Sequence, residues 1–154
     1  MVVSPSVSDN RAAALGTGAL VLIVCLAAAS CTAALGSSVA RGVDVRAFKV
    51  LRVIRNPSDT RNTWSLIAQG IARTGRQVSV ASDETPASDV DAIVTYHEAW
   101  VWSKEWYLKD LILQFRDPRT SVLLATVQLE RPADIRKPVS HMVDEALAAA
   151  FASR

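Results

Sequence analysis

The rhythm of apolar and polar positions changes several times along this chain. Residues 12–29 (AAALGTGALVLIVCLAAA) form an uncharged, largely apolar run, preceded by Arg11 and followed by Ser30 and Cys31. Residues 31–45 then mix small, polar and glycine residues without a period and read as a flexible tether. From residue 46 the pattern is that of a folded domain. Phe48, Val50, Leu51, Val53 and Ile54 make an apolar segment closed by Asn56-Pro57, which predicts a first strand. Ser58 or Asp59 is a good N-cap, and Trp64, Ile67, Ala68 and Ile71 recur at helical spacing up to Thr74-Gly75. Gln77 to Ala81 alternates as a short strand, and 82–91 is a polar loop with Pro86. Residues 92–102 are rich in Val, Ile, Thr, Tyr and Trp, which suits a strand, and Ser103-Lys104-Glu105 is a turn. In the next strand, 106–115, alternation sends Tyr107, Leu111, Leu113 and Phe115 one way and Asp110, Gln114 and Arg116 the other. Asp117-Pro118-Arg119-Thr120 is a strong turn, and 121–130 is a further strand. After Pro132 and Pro138 a last helix carries Val139, Met142, Val143, Leu147, Ala150 and Phe151 on its apolar stripe.

The predicted order after the leader is β-α-β-β-β-β-α. Two helices, each with one apolar stripe, bury both by packing on one face of a mixed, mostly antiparallel sheet of about five strands, an α+β fold. The domain organisation that follows is a leader over 1–30, a tether over 31–45 and a single α+β domain over 46–154.

The leader has a basic residue, a short apolar core and small residues ahead of a cysteine, which is the layout of a bacterial secretion signal. Ala28-Ala29-Ser30-Cys31 resembles the lipobox of bacterial lipoproteins. That resemblance implies cleavage before Cys31, diacylglycerol and an N-acyl chain on Cys31, and no other cofactor. Two alternatives stand beside it. One is an ordinary cleaved signal; the other is a retained inner-membrane anchor, since the 18 residues from Ala12 to Ala29 lie at the lower limit of about 17–25 for spanning a bilayer. Thr32 follows Cys31 where a retention aspartate would stand in enteric lipoproteins, and by that resemblance the outer membrane is favoured.

Removing 30 of the 154 residues leaves 124, one domain of ordinary size. Cys25 would leave with the leader and Cys31 would be capped by lipid, so the domain is held without a disulfide. Net charge is +2 with or without the leader, which holds only Asp9 and Arg11; a balance so near neutral argues against a nucleic-acid partner. Residues 31–80 hold eight basic and two acidic residues, while 81–154 hold eight basic and twelve acidic ones. The basic first half could face anionic headgroups beside a lipid anchor, or consist simply of solvated arginines.

The densest chemical feature is aromatic: Tyr96, Trp100, Trp102, Trp106 and Tyr107 fall within twelve residues. Strand geometry puts Val94, Tyr96, Glu98, Trp100 and Trp102 on one face and Ile93, Thr95, His97, Ala99 and Val101 on the other. If the second set faces the helices, the aromatic row is a partner-binding surface for an envelope protein, a peptidoglycan strand or the membrane interface. The competing reading is that these rings are core. His97 and Glu98 are neighbours on a strand and point apart. His141 is the only other histidine, and neither zinc spacing nor a nucleophile elbow nor a phosphate loop is present in the sequence. An enzyme on this scaffold would run on carboxylates, with Glu98, Glu105 and Asp110 as candidates for glycosidic acid/base work.

The leader, the stretch DAIVTYHEAWVWSKEWYLKDLILQFRDPRTSVLLATVQLE and the terminal PVSHMVDEALAAAF resemble small uncharacterised proteobacterial lipoproteins. In those, an alternating aromatic hairpin and a D-P/A-x-T-G turn precede a terminal helix; here Ser121 stands where glycine is frequent. More loosely, the layout is similar to periplasmic accessory lipoproteins such as penicillin-binding-protein activators and transport auxiliary lipoproteins. The resemblance implies a lipid-anchored, periplasm-facing accessory or binding module, and it carries over no catalytic residue.

Overall fold

Residues 34–132 and 136–152 are described by a computed structural model, and they belong to a unit spanning Ala33–Arg154. The expected leader and the expected lipobox, with Cys31, lie outside the described residues. Six strands and two helices are present: β1 Ala34–Val39, a 3-10 turn Val45–Ala47, β2 Val50–Ile54, α1 Thr63–Arg73, β3 Gln77–Ala81, β4 Ala92–Ser103, β5 Glu105–Arg116, β6 Leu123–Glu130 and α2 Val139–Ala152. They form one sheet in the order β1-β6-β5-β4-β2-β3. β2 runs parallel to both β3 and β4, and the remaining pairs are antiparallel, so the expected mixed α+β architecture is found.

The sixth strand corrects the expected tether. Ala34–Val39 carries no helical or strand period that stands out, yet its backbone pairs along β6 from Ala34–Glu130 to Val39–Ala125. Only Val39 in it is shielded from solvent to any degree. Backbone hydrogen bonding to a neighbouring edge, rather than side-chain burial, specifies this strand, and such pairing leaves no trace in an apolar pattern.

Both helices lie on one face. The core joins Leu51 and Val53 of β2, Ala92, Val94 and Tyr96 of β4, Leu108, Leu111, Leu113 and Phe115 of β5, and Ala125, Val127 and Leu129 of β6 to Ile67 and Ile71 of α1 and Met142, Val143, Ala146, Leu147 and Ala150 of α2. The alternation in β5 breaks once. Ala99 pairs with Asp110 and Trp100 with Leu108, so Lys109 is the extra residue of a bulge. Beyond it the phase reverses: Leu108 faces the core, and Tyr107, expected on the side of Leu111, turns to the helix-free face.

α1 begins with Asn62 in the left-handed region (φ 58°, ψ 36°) and has no capping bond from that residue. Asp59 does the capping from outside, its Oδ2 accepting from the Trp64 amide at 3.1 Å. The two helices touch at Gly70, where an added Cβ would stand 2.6 Å from Leu147 Cδ1 and 3.2 Å from Val143 Cγ1. At the end of β6, Arg131 is almost wholly buried and its guanidinium pairs with Glu145 of α2, which also accepts from Lys137 Nζ at 2.8 Å. Among the described residues, no helix is long and apolar enough to cross a membrane.

Candidate functional site

The β4–β5 hairpin is long enough to run past the helices that cover its base. Its turn is tight: Ser103 pairs with Glu105, and Lys104 between them takes a positive φ of 64°. With Tyr96 in the core, the aromatic row lies on the helix side of the sheet, opposite to the placement that would have put the whole row on the open face. Burial then divides the five rings. Tyr96 is 3% exposed and is no surface residue. Trp100, opposite Leu108, is half-buried against the core, and its indole N–H has no hydrogen-bond partner. Trp102 and Trp106 face each other across the strand pair beyond the core and are 61% and 51% exposed. Their centroids are 5.6 Å apart at 60°, an edge-to-face pair of the kind that contributes about 0.5–1.5 kcal/mol beyond its area.

A residue that sequence reasoning missed completes this tip. The Arg61 guanidinium lies 4.4 Å from the Trp100 ring centroid and 5.1 Å from that of Trp106. Its backbone is held by Asp59, whose Oδ1 accepts from the Arg61 amide at 2.8 Å. Asp59 Oδ2 in turn accepts from the Tyr96 hydroxyl at 2.7 Å, while that hydroxyl accepts from the Asn56 amide at 3.3 Å. Tyr96 thus acts from beneath, fixing the loop that presents Arg61 to the indoles. Partial burial pushes the Asp59 carboxyl up, but the bonds from Tyr96 and from the Trp64, Arg61 and Asn62 amides outweigh it and hold the group below its ordinary range. Burial, then the bond to Asp59, pushes the Tyr96 phenol well above its usual value, so it stays a neutral donor. Nothing in the sequence joins residue 61 to residue 100.

Tyr107 sits on the other side of the hairpin, where the Arg136 guanidinium lies 5.2 Å from its ring. Arg136 also donates to Glu105 Oε1 at 3.1 Å and to Ser103 Oγ at 3.2 Å. A cleft of about 290 Å³ separates the hairpin from the segment entering α2, lined by Trp100, Trp106, Tyr107, Leu108, Lys137 and Val139 among others. Exposed indoles flanked by guanidinium groups can receive a flat apolar or sugar face and an adjacent anion.

The three candidate carboxylates do not assemble. Glu98 lies on the helix side and accepts from Thr63 Oγ1 at 2.5 Å, which ties β4 to the start of α1. Asp110 is on the opposite face beside Gln128, and Glu105 is at the turn with Arg136. His97 points away from Glu98, and His141 is exposed on α2. Among the described residues no group of His, Cys, Asp and Glu could hold a metal ion.

An α+β sheet with two helices on one face and a protruding aromatic hairpin is the class these features define. No protein-family model matches the chain, and no curated protein matches it in sequence. Among solved structures it is similar to PelC from Paraburkholderia phytofirmans, determined as a dodecamer, with a TM-score of 0.54 and 13% identity over 78% of this chain and 95% of that one. A single-substitution variant of that dodecamer gives 0.54 and 14% over 78% and 96%. A DUF4136 family protein from Bacteroides thetaiotaomicron gives 0.45 and 8% over 78% and 94%. At these identities the likeness to PelC is one of fold.

Proposed function

We propose that the chain is a lipid-anchored lipoprotein of the cell envelope, outer membrane favoured, in which a non-catalytic domain captures an envelope partner with its hairpin tip. The observation that carries this reading is the solvent-facing Trp102–Trp106 pair with Arg61 placed over Trp106. Two large indoles held in the open by a built loop are costly to leave in water, and such clusters concentrate binding energy at interfaces. An envelope protein or a peptidoglycan strand offers the complementary apolar or sugar face. If Cys31 is the acylated first residue, β1 starts three residues later, and the anchor would hold the sheet edge within about 10 Å of the bilayer. Confinement at that distance raises the effective concentration of any partner on the same membrane.

Two measurements test the reading. Intact mass of the membrane-extracted protein, compared with Cys31→Ala, should show a chain beginning at Cys31 with diacylglycerol and an added acyl group. An uncleaved full-length chain would instead make residues 12–29 an anchor, and a cleaved chain without lipid would remove the confinement. Capture of envelope material should then be lost in Trp102→Ala/Trp106→Ala while the thermal melt is kept; undiminished capture would refute the hairpin as the docking surface.

A second partner is favoured by the PelC likeness: another copy of this chain. Both PelC structures are dodecamers, and here both sheet edges, β1 and β3, carry no charged residue within the strand. Light scattering on the detergent-extracted chain decides it, a single-protomer mass excluding self-assembly under those conditions. The carboxylate-enzyme alternative finds no support in the separate placements of Glu98, Glu105 and Asp110.

A further inference from the structure

The helix-free face of the sheet carries its own cleft, of about 220 Å³, lying across β2, β4 and β5. Its floor is Thr95, His97, Gln114 and Arg116, with Arg55 and Glu84 also in the lining. Arg116 is half-buried, yet it is held by two neutral acceptors, Gln114 Oε1 at 2.8 Å and the Ser121 carbonyl at 3.2 Å. Arg55 stacks over Trp64 with its guanidinium 4.2 Å from the ring. Among the described residues neither arginine has a carboxylate within ion-pair distance, Glu84 included. Thr95 Oγ1 is buried in the sheet surface and has no hydrogen-bond partner. Half-buried cations are ordinarily paired, and buried hydroxyls ordinarily bonded. A cleft that gathers an uncompensated guanidinium, an unanswered hydroxyl, an amide and an imidazole is short of one thing, an oxyanion.

The geometry points to a binding site for a small polar molecule bearing a single oxyanion group, a sugar carboxylate or a phosphate. Arg116 retains three N–H donors beyond the two it uses, enough for a forked contact to one oxyanion. Thr95 and His97 lie beside it on β4, and Gln114, two residues before Arg116 on β5 itself, fixes the guanidinium plane. The volume is below the roughly 300–1,000 Å³ of drug-sized sites and suits a ligand no larger than a monosaccharide. The site is on the other face of the sheet from the Trp102–Trp106 pair, so it does not depend on the hairpin reading.

The test uses the full chain, isotope-labelled in detergent micelles, titrated at constant ionic strength with sodium glucuronate, inorganic phosphate and glucose. Amide signals of residues 95, 97, 114 and 116 should shift saturably with glucuronate, with Kd near about 1 mM, and should not move with glucose. Saturation by phosphate as well would identify the oxyanion alone as the determinant; saturation by glucuronate only would assign a sugar acid. Thr95→Val should weaken binding by about tenfold while leaving the thermal midpoint unchanged or raised, because it removes an unpartnered hydroxyl. Arg116→Gln should abolish saturation, and if that variant fails to fold, Thr95→Val decides. Shifts that stay linear to about 50 mM, that match those of added chloride, or that are unaffected by Thr95→Val would overturn the assignment.

Discussion

Replacing Tyr96 by phenylalanine isolates the one hydrogen bond through which the core positions the Arg61 loop. The ring is buried among Val94, Leu113 and their neighbours, and phenylalanine keeps that packing. What is lost is the 2.7 Å bond from the hydroxyl to Asp59 Oδ2 and the weaker 3.3 Å bond from the Asn56 amide. Hydrogen bonds to charged groups contribute about 1.5–3 kcal/mol, and a carboxylate that is partly open to water belongs at the lower end, so about 1.5 kcal/mol is expected at pH 7. For a domain of this size that corresponds to about 6 °C in Tm. The pH dependence supplies the second half of the prediction. Asp59 has a folded pKa held below its unfolded value, so its contribution is complete above pH 3.8 and disappears as pH falls through the folded value. Thermal melts of wild type and Tyr96→Phe, followed by near-ultraviolet circular dichroism from pH 7 to pH 2, should therefore differ at neutral pH and converge in acid. A gap that is absent at pH 7, or that persists undiminished at pH 2, would refute the role given to the Tyr96–Asp59 pair.

The remaining predictions follow from burial and close approach. Gly70→Ala should lower stability by about 1 kcal/mol, because overpacking against the buried Leu147 and Val143 costs about 1–3 kcal/mol and the helix gain returns only about 1; a variant more stable than wild type would show that Leu147 relaxes freely. Trp102→Ala and Trp106→Ala should each change stability by no more than about 1.5 kcal/mol, since both rings are more than half exposed and lose mainly their mutual contact, whereas Trp100→Ala should cost about 3 kcal/mol. Equal losses at all three positions would return the whole cluster to the core. Asp91→Ala should cost about 1.5 kcal/mol at pH 7, because Asp91 Oδ2 accepts from the Lys49 and Val50 amides at 2.6 and 2.9 Å; those bonds hold its carboxyl below the ordinary range, so the deficit should fade in acid. Chemical denaturation at pH 7 and pH 2.5 measures it.

Periodicity revealed what periodicity can encode. The stripe Ile67, Ala68 and Ile71 and the stripe Met142, Val143, Leu147 and Ala150 are buried as their spacing requires, and the alternation of Leu111, Leu113 and Phe115 survives intact. Three features escaped it, each for a physical reason. β1 is held by main-chain bonds to β6 and exposes nearly all its side chains, so its sequence carries no apolar signature. The facing of β4 was a choice between two alternating sets; the set with Tyr96 went inward because Asp59 and Asn56 satisfy its hydroxyl there, a long-range contact no local pattern predicts. The position of Tyr107 was lost to the bulge at Lys109, where one added residue inverts an otherwise regular alternation. At the candidate site the indoles could be read from the chain, while Arg61 could not, because it arrives from a loop some forty residues earlier.

The bulge at Lys109 divides the hairpin into two stretches with separate histories available to them. Inward of it, every substitution on the buried side is judged by the core. Outward of it, the exposed residues 102–106 answer mainly to whatever meets the tip, and loss of Lys109 alone would only straighten β5, leaving Leu108 opposite Trp100, Tyr107 opposite Val101 and Trp106 opposite Trp102 on their present faces. A single-codon deletion there would therefore leave the aromatic faces as they are, so that descendants of this chain can lose the bulge without changing what the tip presents.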